Sequence, residues 1–104
     1  MEVLLIHKPM GLLPPEAWTA IMEMAKKAEA NAGELVPGAK LMASYSARAL
    51  STIVCLWEVP SVEAMMPALE QLNMLGLETD IIPVEKTSVS IPKFEQFLKS
   101  MQAK

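Results

Sequence analysis

The chain has 104 residues, of which 52% are hydrophobic and 20% charged, and its formal net charge is -3. This length suits one domain with a single core and a high surface-to-volume ratio, and the apolar excess is more than so small a core hides, which points to self-association. Scattered Lys and Arg on an acidic chain give no basic stripe to neutralise phosphates, which argues against nucleic acid as a partner, and the single cysteine, Cys55, leaves no internal disulfide and no cysteine-based zinc framework.

Val3 to Lys8 is a short apolar run closed by Pro9 and Gly11, and it reads as a strand buried on both faces. It is too short for a signal segment and lacks the basic start of one, so a cytoplasmic location is the expectation. No stretch approaches 18 uninterrupted apolar residues, and no membrane is expected as a partner. Pro14-Pro15-Glu16 provides a rigid, acidic helix start, after which Trp18, Ile21, Met22, Ala25 and Ala28 recur at helical spacing until Asn31 and Gly33. Pro37-Gly38 is a turn, and residues 39 to 47 alternate loosely as a strand of intermediate burial.

The most informative stretch follows. Ser51 to Val59 reads as a strand whose apolar run has no polar face, so it must be covered on both sides, and it runs directly into Pro60-Ser61. Ser61 predicts an N-cap for a second helix, with Glu63 in its first turn and Val62, Met65, Met66, Leu69 and Leu72 on its apolar face. Pro67 should bend or divide that helix unless the helix starts later. Gly76 ends it, and Asp80 to Thr87 is a last strand that Pro83 confines to a sheet edge. In the tail, Ser90 predicts the cap of a short helix with Pro92 in its first turn, and Phe94, Phe97, Leu98 and Met101 form an i, i+3, i+4, i+7 stripe. Such a helix needs somewhere to bury that stripe, either on a partner subunit or over a cavity.

Strand, helix, strand, strand, helix, strand is the split βαβ order, which predicts an α+β domain with a four-stranded antiparallel sheet and both helices on one face. The opposite face would stay apolar and uncovered, and a second copy is expected there. This order, together with the run Val54-Cys55-Leu56-Trp57-Glu58-Val59-Pro60-Ser61 and then Asp80-Ile81-Ile82-Pro83-Val84, resembles the ferredoxin-like dimeric α/β-barrel superfamily. Within it the chain is similar to the muconolactone-isomerase-like group and to neighbouring small domains, over roughly residues 2 to 87. The division is then a domain over residues 1–88 and a C-terminal helical extension over 89–104. The resemblance implies dimerisation sheet to sheet and leaves the activity open, since members include isomerases, cofactor-free monooxygenases, haem-degrading enzymes and metal binders. Nickel-binding-type relatives carry additional histidines and haem-degrading ones place a ligand histidine near a helix. His7, the single histidine, matches neither pattern, and no cofactor is expected.

Six residues are candidates for chemistry. His7 titrates near neutrality without help and reads either as an acid/base opening onto a pocket or as a hydrogen-bonded structural histidine. Glu58 reads as a general base or a solvated strand-end carboxylate, and Tyr45 as an oxyanion donor or an edge-strand packing residue. Cys55, mid-strand among apolar neighbours, reads as a small hydrophobe with a raised pKa more readily than as a nucleophile. Trp18 and Trp57 read as core or interface anchors, or as walls of a ligand cavity. The expectation is a homo-oligomer that binds a small, largely apolar molecule, with cofactor-free proton transfer or isomerisation in which His7 is the acid/base and Tyr45 and Glu58 assist. The competing expectations are a non-enzymatic assembly or partner-binding module, and a metal site built from His7 of two copies across a symmetric interface. Phosphate loops, metal-ligand spacings and serine nucleophile motifs are absent from the sequence.

Overall fold

The computed structural model describes residues 1–103. Its centre is strand β1 (Glu2–Pro9), an apolar segment flanked by β3 (Thr52–Glu58) and β4 (Leu77–Val84), with β2 (Lys40–Ala47) beyond β3. The order β2-β3-β1-β4 is antiparallel throughout. It is the α+β, ferredoxin-like arrangement that the element order predicts.

Because side chains alternate across a strand and directly paired residues share a face, the ladders define two surfaces. Val3 lies opposite Trp57, Leu5 opposite Cys55 and Ile81, and His7 opposite Ile53 and Thr79. These residues form the inner face, on which Val3, Leu5, His7, Cys55 and Trp57 are buried. Leu4, Ile6, Val54 and Leu56 form the centre of the outer face and are only half-buried. Pro83 falls on edge strand β4, where a missing ladder donor is tolerated.

The inner face is covered by helix α1 (Pro15–Asn31) and helix α2 (Met66–Met74). Helix α1 begins as the sequence predicts, with Pro14 extended as the N-cap, proline at the first position and Glu16 in the first turn; it buries Ala17 and Ile21. Helix α2 starts later than Ser61. Residues Glu63–Met65 form a 3-10 turn, and the Ser61 hydroxyl accepts the Ala64 N–H at 3.2 Å, so Ser61 caps that turn. Pro67 then sits in the first turn of α2, where its missing N–H would have had no intrahelical partner. Met65 and Leu69 reach the core beside Val3, Leu5 and Trp57.

Two boundaries move. Strand β4 starts at Leu77, three residues before the predicted Asp80, because Gly76 takes φ +97 and turns the chain directly from α2 into the sheet. The Gly76 carbonyl accepts the Met10 N–H at 2.8 Å, and a Cβ at Gly76 would run into the Leu13 side chain. Helix α3 (Thr87–Gln102) starts before Ser90, with Lys86 as its N-cap and Pro92 inside it. The anchor of its first turns is Glu85, whose carboxylate accepts the Ser90 hydroxyl at 2.9 Å and the Lys93 ammonium at 2.8 Å. The Lys93 and Ser90 hydrogen bonds hold the Glu85 carboxyl below its ordinary pKa. No residue of α3 is buried, and the molecule measures 58 Å along its longest axis against 29 and 20 Å. Among the described residues, no helix is long and apolar enough to cross a membrane.

Candidate functional site

Between the inner sheet face and the two covering helices lies a cavity of about 80 Å³. Its walls are mostly aliphatic, with Leu5 and Ile53 from the sheet and Ile21, Ala25, Met65 and Leu69 from the helical side. Five residues break that character: His7, Ser44, Cys55 and Trp57 from the strands and Glu29 from α1. A few convergent polar groups in an apolar enclosure is the usual composition of a small-molecule site. The volume is roughly half of the ~150 Å³ that admits benzene to an engineered apolar cavity.

Among the described residues, His7 is the one buried polar side chain, at 6% exposure. Strand β1 places it on the inner face, and the β1–β4 register puts Thr79 directly across from it, with Thr79 Oγ1 2.7 Å from His7 Nδ1. That contact fixes the ring, whichever of the two atoms carries the proton. Nε2 has no hydrogen-bond partner among the described residues. Burial lowers the imidazole pKa to about 4, because the charged form loses its hydration. At neutral pH the ring is therefore uncharged, and when Nδ1 holds the proton Nε2 presents a bare acceptor.

Cys55 lies opposite Ser44 in the β2–β3 ladder, and the Ser44 hydroxyl stands 3.5 Å from its sulfur. Burial pushes the thiol pKa up, against smaller opposing effects of Ser44 and the Trp57 indole, and the Glu29 charge pushes it further up. The group is thus a neutral thiol at pH 7, as the sequence reading favoured. The Trp57 indole nitrogen is buried with no hydrogen-bond partner among the described residues. A buried unpaired donor costs stability in isolation, and natural proteins keep few of them.

The six predicted residues separate into two groups. His7, Cys55 and Trp57 line the cavity. Tyr45 and Glu58 lie on the outer face, where Tyr45 is paired with Val54 and is 73% exposed, and Glu58 is paired with Glu2 and Lys40. The structure does not bring either to His7. The cause at Tyr45 is a bulge in β2 between Leu41 and Ala43. Leu41 lies opposite inward-facing Trp57, so unbroken alternation would turn Ala43 and Tyr45 inward too; the extra residue puts Ser44 inward and Tyr45 outward. Trp18 is half-buried on α1 and is not part of the cavity wall. Thr79, Ser44 and Glu29 complete the site and escaped the sequence reading: Thr79 fell outside the predicted strand, Ser44 depends on the bulge, and Glu29 looks like any solvated helix carboxylate. No cluster of three or more His, Cys, Asp or Glu stands together among the described residues.

The comparisons with known proteins bear on the fold. No family model matches the sequence, and no curated protein matches it either. In three dimensions the chain is similar to the protein SCO4226 of Streptomyces coelicolor A3(2), known from a crystal structure, with a TM-score of 0.50 at 18% identity over 83% of this chain and 100% of that one. A likeness at that identity supports the α+β, ferredoxin-like architecture and carries no residue roles.

Proposed function

We propose that this chain is a homo-oligomeric protein of the dimeric α/β-barrel kind that binds a small, largely apolar molecule in the His7 cavity. The observation that carries this reading is an uncharged histidine, held by Thr79 through one nitrogen and unpartnered at the other, in the wall of a largely apolar enclosure. Oligomerisation is supported by the apolar centre of the outer sheet face and by the exposed stripe of α3, which includes Phe94 at 66% exposure.

The reaction such a site could run is cofactor-free proton transfer. His7 Nε2 would take a proton from a carbon next to a carbonyl, the bonding pair would move to the carbonyl oxygen, and the imidazolium would return the proton at the same or a neighbouring carbon. The unpartnered Trp57 indole N–H, the Ser44 hydroxyl and the Cys55 thiol are the wall donors available to the developing oxyanion. A base whose pKa is about 4 is weak, so the chemistry would be confined to substrates whose C–H is already acidic, and binding is the stronger half of the reading.

The test is a titration with 2-butanone, a small ketone, followed by NMR, together with deuterium exchange at the central carbon of 2,4-pentanedione, whose C–H is acidified by two carbonyls. Saturable shifts at cavity residues support binding, and α-exchange above buffer that disappears in His7→Gln supports turnover. Absence of both would refute the proposal.

A further inference from the structure

The cavity wall is uneven in charge. Apart from neutral His7, its ionisable members are Cys55 and Glu29, and neither a lysine nor an arginine reaches it. Glu29 is exposed and makes no ion pair among the described residues. Its charge is nevertheless felt inside, since it opposes formation of the Cys55 thiolate. An organic anion in the cavity would face the same field. It would also surrender its hydration to aliphatic walls and find no countercharge, a far larger loss than that of a neutral polar molecule.

Resting on the ligand-site reading above, we propose that the cavity selects small neutral molecules over organic anions, and that Glu29 strengthens this discrimination. Carboxylic acids in their ionised form are therefore outside its substrate class, while ketones, amides and alcohols of the same skeleton are within it.

The pair 2-butanone and propanoate tests this, since the two share a skeleton and differ by a methyl group against a charged oxygen. The full chain is titrated with each at pH 7, with the Trp57 indole N–H and the His7 ring as NMR reporters. The expected result is saturable shifts with 2-butanone and at least tenfold weaker binding of propanoate. In Glu29→Gln, the affinity for propanoate relative to that for 2-butanone should rise several-fold. Propanoate binding as well as 2-butanone would overturn the charge selection and leave the cavity a ligand site. Shifts from neither molecule would overturn the ligand-site reading as well. An unimproved propanoate in Glu29→Gln would overturn the role given to Glu29.

Discussion

His7 Nδ1 and Thr79 Oγ1 meet at 2.7 Å directly across the β1–β4 ladder, joining the third residue from the end of β1 to the third residue of β4. A side-chain pair held by strand register has little freedom, so the imidazole is fixed by the sheet and only its far nitrogen is left for other work. The cavity, the low pKa and the proposed ligand site all follow from that placement.

The first consequence is a pH dependence of stability. The folded protein holds His7 at about 4 against an ordinary 6.5, so below pH 6.5 the unfolded chain binds a proton that the folded one does not. The contribution of His7 is therefore fully present above about pH 6.5 and is lost as pH falls toward 4, below which both states are protonated. The gap between the two values corresponds to about 3 kcal/mol. Urea unfolding at pH 7 and pH 4.5 should show the wild type losing more stability than His7→Gln by most of that amount. Equal losses in the two proteins would refute it.

The cavity makes opposite predictions for two substitutions in its wall. Ala25 is half-buried there, and Ala25→Leu should fill the space, raise stability by about 0.5–1 kcal/mol and abolish 2-butanone binding. Trp57→Phe removes an indole N–H that has no partner, so it should cost under about 1.5 kcal/mol, whereas Trp57→Ala should cost about 3–5. Thermal or chemical denaturation distinguishes these; a Phe variant as damaged as the Ala variant would mean the N–H is paired after all.

Gly76 is the backbone position least able to change. With φ +97 and the Leu13 side chain where a Cβ would go, Gly76→Ala combines left-handed strain with a steric clash and should cost at least about 1–2 kcal/mol. Denaturant midpoints for Gly76→Ala and for Gly11→Ala, where a Cβ meets open space, should differ clearly.

Much of this architecture was legible in the residues. The unbroken apolar runs of β1 and β3, the proline-led start of α1 and the edge-marking Pro83 each express local chemistry that tertiary packing does not override. What escaped depended on long-range geometry. Pro67 marked the true start of α2 more faithfully than the cap residue Ser61, because a 3-10 turn can use the same serine. Tyr45 could be placed on the correct face only with knowledge of the β2 bulge, which shifts side-chain parity without any glycine to announce it. His7 was recognisable as a candidate from its type and position, but Thr79 emerges only from the register.

The exposed stripe of α3 leads to a prediction about assembly. Phe94, Phe97, Leu98 and Met101 are each more than half exposed, and the helix adds nothing to the buried core. Removing residues 90 to 104 should lower the oligomeric mass while changing the unfolding midpoint of the remaining domain little. Sedimentation velocity and thermal denaturation on the same samples would check this, and an unchanged mass would exclude α3 from the interface.

The central claim is that the free nitrogen of His7 faces a ligand cavity, and the ¹⁵N shifts of its two ring nitrogens test that most directly. On addition of 2-butanone, the Nε2 resonance should move saturably while Nδ1, held by Thr79, changes little, and the response should vanish in Ala25→Leu. An Nε2 resonance that stays put, or that moves equally in the filled variant, would contradict the account.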